Sequence, residues 1–291
     1  MAEMKVIAVI GAGQMGAGIA QLAAVAGADV WILDQDAKAL QNAKMSIYDS
    51  VQRFVSKGQL DKEVGNNALA RLQYTSNLED LRSADIVIEA IVENEDVKKK
   101  LFAELDNIVK GSAILASNTS SISITRLATA TNRSHQVIGM HFMNPPPIMK
   151  LVEIIRGADT SDETFNATKN LAERFGKIVV CSKDYSGFIV NRILMPMINE
   201  AFHALYTGVA TKEDIDAGMK YYKRAWGILS MHHVLCLCSM LMLVDLVKNE
   251  PKKGKPKEAT KPKEETKPKE KEAAKDAKPK VVESKDEKKT E

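Results

Sequence analysis

Cysteine is scarce in this sequence, and what there is argues against two kinds of protein. Three occur in 291 residues, at Cys181, Cys236 and Cys238. Their number and spacing exclude a disulfide framework and point to a reducing compartment. Cys236 and Cys238 lie one residue apart near His232 and His233. The run around them is apolar and holds no second cysteine pair, so incidental thiols are expected there and no metal site. No secretory leader is expected either: the apolar run Val6–Ile10 is too short and is cut by Gly11-Ala12-Gly13. The last four residues, Lys-Lys-Thr-Glu, do not form a peroxisomal tripeptide, so the cytosol is the expected location and a peroxisome would need an unusual signal.

Charge of one sign is missing from most of the chain. The net charge of +3 comes from residues 251–291, which hold 15 Lys against 10 Asp and Glu. The other 250 residues carry 26 Lys and Arg against 28 Asp and Glu. A near-neutral body has no field that steers it to nucleic acid. The tail holds five of the nine prolines, no aromatic residue, and Lys-Pro-Lys-Glu at 255, 261 and 267. Such a segment cannot bury enough apolar surface to offset its chain entropy, so disorder is expected over about 249–291. Long apolar runs are confined to Ile228–Val247. Its length just reaches that of a membrane span, but Asp245 and the histidine pair count against one. A core-covering helix is expected there, ahead of an exposed patch or an anchor.

What is present is a core and an alternation of elements. The chain is 45% hydrophobic. Short β-branched runs read as buried strands at 5–10, 29–33, 85–90, 113–116, 137–140, 151–155 and 178–181. Helical periodicity covers 14–26, 37–57, 62–72, 97–109 and 123–130. The alternation predicts an α/β fold with a doubly wound, mostly parallel sheet and an edge strand or two running the other way. A helical insert falls at about 36–73. From Gly187 the strand pattern stops. Residues 188–206 are apolar at helical spacing, and Thr211–Asp214 resembles a capping box. The expected organisation is a sheet domain over 1–186, a small all-helical domain over 187–248, and the tail.

The first strand runs into Gly11-x-Gly13-x-x-Gly16 and then into a helix. Gly11 allows the tight turn, Gly13 lets backbone approach a pyrophosphate, and Gly16 lets helix and strand pack closely. Gln14 and Met15 stand in the first helical turn, whose free N–H groups favour an anion. Asp34 ends the second strand, 18 residues past Gly16. A carboxylate there binds ribose hydroxyls and repels a 2′-phosphate, which favours NAD over NADP. Strand, turn, helix, strand and acid in that order predict a Rossmann-type NAD site.

Four further runs suggest the chemistry. They are Ser117-Asn118-Thr119-Ser120-Ser121 and His141-Phe-Met-Asn144-Pro145, each placed after a strand, then Lys150-Leu-Val-Glu153-Ile-Ile155, and Gly187-Phe-Ile-Val-Asn191-Arg192. Together they resemble the signature segments of the L-3-hydroxyacyl-CoA dehydrogenase family, its 3-hydroxybutyryl-CoA branch in particular. The resemblance covers about residues 4–219. It implies NAD-dependent interconversion of a short-chain 3-hydroxyacyl-CoA and its 3-oxo form in fatty-acid metabolism, by a homodimer. It implies that His141 is the general base, Glu153 its carboxylate partner, and Ser120 and Asn191 hydrogen-bond partners of the substrate oxygen. It implies that Glu93, Lys98, Asn118 and Asn144 line the cofactor site, and that Ser50 and Lys57 meet the CoA moiety. Chemistry agrees: imidazole exchanges a proton near neutral pH, and a carboxylate within an apolar strand asks for a partner. Lys44, Arg53 and Lys57 read as a cationic cluster for phosphates. Ser120 also suits a helix N-cap.

After Lys220 the resemblance ends. Tyr221–Val247 holds no Gly/His-Pro-Met-Gly-Pro segment, which family members carry there. An active dehydrogenase and an NAD-binding form without a complete dimerisation and substrate domain are both compatible with this sequence.

Overall fold

The structure, a computed structural model, describes residues 4–225. Cys236, Cys238, the apolar run 228–247 and the Lys-Pro-Lys-Glu tail lie outside the described residues. The described site residues all belong to one compact unit that ends at Met219.

The elements follow from alternating apolar runs. The chain begins β1 (Val6–Ile10), α1 (Gln14–Val25), β2 (Asp29–Leu33), α2 (Ala37–Ser56), α3 (Lys62–Ala70) and β3 (Leu72–Thr75). It continues with β4 (Ile86–Glu89), α4 (Glu95–Ile108), β5 (Ile114–Ser117), α5 (Ile124–Ala128) and β6 (Val137–Phe142). It then forms β7 (Leu151–Arg156), α6 (Asp162–Arg174), β8 (Ile178–Lys183), α7 (Val190–Tyr206) and α8 (Lys212–Ala225). One sheet takes the order β3-β2-β1-β4-β5-β6-β7-β8. The first six strands of that order are parallel; β7 pairs antiparallel with β6, and β8 runs parallel to β7. Two strands thus run the other way, as the pattern predicts.

Both faces of the sheet are covered, which is why its strands read as continuous apolar runs. In β1, Ile7 and Val9 join one buried cluster with α1 and α2, while Ala8 and Ile10 join another with Phe102, Leu105 and Leu127. The chain leaves β1 toward β2 and β3, then returns to β4 on the other side of β1. That reversal opens a crevice at the carboxyl ends of β1 and β4, the place where such sheets take a ligand.

Three sequence expectations are corrected here. Leu72 does not extend a helix: with Gln73–Thr75 it forms β3, pairing with Val30–Leu33. A half-buried edge strand follows α3 with only one connecting residue, so its pattern merged with the helix. Helix α6 was not anticipated; it sits between β7 and β8, opened by Ser161, whose side chain accepts from the Thr164 N–H. His141 does not follow a strand but lies inside β6, because pairing with β7 carries the ladder on to Phe142.

Candidate active site

The glycine turn is fixed by sterics. Gly11 has φ 101°, and a Cβ there would stand 2.5 Å from the Ala90 carbonyl oxygen. A Cβ on Gly16 would fall 1.7 Å from the Gly11 oxygen. Gly13 differs: nothing lies within 4 Å of the place its Cβ would take, so this glycine keeps space for a ligand rather than for the protein. It is the N-cap of α1, and no side chain caps that end. The first-turn N–H groups there, at Gln14 and Met15, have no intrahelical partner. Asp34 closes the turn. One carboxylate oxygen accepts from the Ala12 N–H at 2.7 Å and the other from the Asp36 N–H at 3.0 Å. Each keeps lone pairs for ribose hydroxyls. The open cradle, the uncapped helix end and the acid fit a dinucleotide.

Beyond the turn, His141 and Glu153 face each other across the β6–β7 ladder, as antiparallel register requires of directly opposed residues. His141 Nδ1 lies 2.7 Å from Glu153 Oε2. Glu153 is 0% exposed and His141 6%. The other carboxylate oxygen of Glu153 accepts from the backbone N–H groups of Ile189 and Val190, at 2.9 and 3.0 Å, where α7 begins. Burial pushes the Glu153 carboxyl up, but the bonds from His141, Val190 and Ile189 outweigh it and hold it below its ordinary range.

From the head of α7 the network continues. Asn191 Nδ2 donates to the Ser120 carbonyl at 3.4 Å, and the Ser120 N–H donates to Glu93 at 2.9 Å. The same Glu93 oxygen accepts from the Thr119 hydroxyl. Burial raises the Glu93 carboxyl, and Thr119, Lys98 and Ser120 more than offset it. Lys98 bridges Glu93, at 3.2 Å, to Glu89, at 2.6 Å. Glu89 is fully buried and accepts from Ser117 Oγ at 2.6 Å. Asn118 is held by accepting from the Phe142 N–H at 2.8 Å, beside His141. Ser120 itself is exposed.

His141, Glu153, Ser120, Asn191, Glu93, Lys98 and Asn118 are therefore brought together. Asn144 is exposed, at the cis bond to Pro145, three residues past His141. Ser50 lines a separate cavity of about 600 Å³ between α1, α2 and the Pro145–Ile148 loop, together with Gln14, Ser46 and Arg53. Buried Lys177 ties down that loop through the carbonyls of Pro146 and Met149. Lys57, the C-cap of α2, does not line this cavity. The expected cationic cluster does not include Lys44. Lys44 and Arg53 are nine residues apart, which at about 100° per residue places them on opposite sides of α2. Lys44 accordingly points to Tyr74, 5.9 Å from its ring centroid.

Sequence reasoning missed Glu89, Phe188 and Asp184. Glu89 carried the same signal as Glu153, an acid in an apolar strand. Asp184 accepts from Ser123 Oγ and the N–H groups of Ile124 and Thr125, fastening α5 to the end of β8.

A dinucleotide cradle next to a buried His–Glu pair defines a nicotinamide-dependent oxidoreductase. Comparison with known proteins gives the family. A model of the 3-hydroxyacyl-CoA dehydrogenase NAD-binding domain matches residues 6–185, and that of the C-terminal domain matches 187–281. The second match reaches past Lys220, where the resemblance read from the sequence ended. A 3-hydroxybutyryl-CoA dehydrogenase of Bradyrhizobium diazoefficiens is 52% identical over 219 residues, 75% of each chain. The human mitochondrial hydroxyacyl-coenzyme A dehydrogenase is 42% identical over 223 residues, 75% of this chain and 71% of that one. The crystal structure of (S)-3-hydroxybutyryl-CoA dehydrogenase from Ralstonia eutropha has a TM-score of 0.73 at 47% identity, covering 75% of this chain and 77% of that chain. The chain belongs to the 3-hydroxyacyl-CoA dehydrogenase family, whose cofactor is NAD.

Proposed function

We propose that this protein oxidises short-chain (S)-3-hydroxyacyl-CoA to 3-oxoacyl-CoA, and runs the reverse, with His141 as the proton carrier. The observation that carries this reading is the buried His141–Glu153 pair, with His141 near the carboxyl end of β6, where Asn118 accepts from the Phe142 N–H. With Nδ1 committed to Glu153, Nε2 is the nitrogen left to accept the 3-hydroxyl proton. Glu153 favours the imidazolium that results. The Ser120 hydroxyl and the Asn191 amide are the donors for the substrate oxygen as it becomes a carbonyl. When bound, NAD accepts the hydride that leaves C3. Gly11, Gly13, Gln14, Met15 and Gly16 hold its pyrophosphate, Asp34 its adenosine ribose, and Glu93, Lys98, Asn118 and Asn144 line the rest of its site. Ser50, with Arg53 beside it in the cavity and Lys57 at the helix end, receives the CoA moiety.

Formation of NADH from (S)-3-hydroxybutyryl-CoA tests the reading. Turnover with NAD, weaker with NADP and weaker with longer acyl chains, supports it; folded, NAD-binding protein without turnover contradicts it. The cofactor half has its own check. Gly13→Val is expected to leave the melting temperature within a few degrees, since its side chain meets only open space in the protein. It should weaken NAD binding about 10²-fold or more, because backbone approach to the pyrophosphate is blocked. Calorimetry reads both; unchanged NAD affinity would remove Gly13 from the site.

Helix α7 buries none of its residues and exposes Met195, Ile198 and Phe202. An exposed apolar face of this kind supports a homodimer. Sedimentation at twice the chain mass is expected, and a monomer at micromolar concentration would rule it out. Among the described residues no helix is long and apolar enough to cross a membrane. The cytosol is the compartment we propose, in keeping with the free, exposed thiol of Cys181; cell fractionation checks it.

A further inference from the structure

The turn that starts α7 carries a backbone outlier. Phe188 has φ 51°, directly after Gly187 at φ 78°. A bulky residue keeps the left-handed conformation only where its surroundings hold it there. The surroundings are specific. Phe188 is 4% exposed and belongs to the same buried apolar cluster as Ile122, Ile124 and Ile155. It meets the His141 imidazole in an edge-type contact, with ring centroids 5.7 Å apart and planes at 61°. The next two N–H groups, of Ile189 and Val190, are those that hold Glu153. One turn therefore fixes the carboxylate from one side and the imidazole from the other.

Both contacts are needed to set a ring. The bond from Nδ1 to Glu153 places one atom of the imidazole but leaves it free to tilt about that bond. A second contact, from a ring set at an angle to it, restricts the tilt. Gly187 cannot do this, since a Cβ there would stand 2.8 Å from the Arg192 nitrogen. The side chain comes from position 188, where the left-handed backbone goes with a buried ring.

We propose that Phe188 is a positioning residue for His141: its edge-on contact holds the imidazole so that Nε2 aims at the substrate oxygen. This rests on His141 being the proton carrier, and the experiment separates the two. Phe188→Leu keeps an apolar side chain and removes the ring; Phe188→Tyr keeps the ring. Each is measured for turnover, NAD affinity and melting temperature, with ¹⁵N-histidine spectra in which His141 is assigned by its loss in His141→Ala. Phe188→Leu should lower kcat about 10- to 100-fold, the cost of a misplaced reacting group, with KM and NAD affinity within about 3-fold. Its His141 ring signals should broaden or double. Phe188→Tyr should keep kcat within about 3-fold and show one sharp set of signals. Wild-type kcat with sharp signals in Phe188→Leu overturns the proposal. So does an equal loss of kcat, NAD affinity and melting temperature in both variants, which marks a purely structural ring. If His141→Ala is fully active, the reading of His141 fails, while the spectra still report on whether Phe188 fixes the ring.

Discussion

His141→Ala is expected to lower kcat by about 10²–10⁴-fold, the usual worth of a positioned general base. KM for the acyl-CoA and the affinity for NAD should change little. The hydrogen bond of His141 goes to Glu153, whereas that of the dinucleotide turn joins Asp34 to Ala12. The loss should appear equally in kcat and kcat/KM, as for a group whose contribution is made in the transition state. Steady-state assays in both directions read this. A variant that raises KM and keeps kcat would make His141 a binding residue and move the proton elsewhere.

Glu153→Ala is expected to have the largest effect on stability. The carboxylate is completely buried and receives three donors: His141 Nδ1 and the N–H groups of Ile189 and Val190. Removing it leaves those donors unmet in a dry site, which should cost about 3–5 kcal/mol. Glu153→Gln keeps an oxygen for the backbone and should cost about 1–2 kcal/mol. Its kcat should still fall about 10²–10⁴-fold, since an amide that donates to Nδ1 selects the wrong tautomer. The same carboxylate gives the protein an acid limit. Its folded pKa lies below the ordinary 4.5, so its stabilisation is present above that value and is lost as the pH falls through the folded one. Glu93, Asp85, Asp106 and Asp184 are shifted in the same direction. The melting temperature should be flat above about pH 5 and drop below it, less steeply in Glu153→Gln. Equal slopes would mean that Glu153 is not charged in the folded protein.

How legible all this was in the sequence depended on how local the cause was. The glycine turn could be read because its spacing is a local pattern, although the clash at Gly11 comes from distant Ala90, that at Gly16 from Gly11 itself, and Gly13 meets none. The His141–Glu153 pairing was suggested by an acid in an apolar strand, but the ladder that joins them was not. A histidine ended the apolar run at Met140, and only the partner strand shows that β6 continues. Strand β3 was hidden for the same reason, since its identity comes from pairing with β2. Helix α6 had a local signal, Ser161 followed by Asp162 and Glu163, that its mostly polar sequence obscured. Lys44, Arg53 and Lys57 are grouped by proximity in sequence, whereas the helix sets Lys44 and Arg53 on opposite sides. Phe188 was beyond reach: neither its left-handed backbone nor its ring contact has a trace in the letters Gly-Phe-Ile-Val-Asn.

The claim on which the rest depends is that His141 and Glu153 act as one proton-transfer unit. A double-mutant cycle in kcat for acetoacetyl-CoA reduction, with His141→Ala, Glu153→Gln and the double variant, tests it most directly. If the pair is one unit, the double variant is no slower than His141→Ala by more than about 3-fold, because Glu153 has no imidazole left to orient. If the two losses multiply in full, Glu153 acts independently of His141, and the account of this site is wrong.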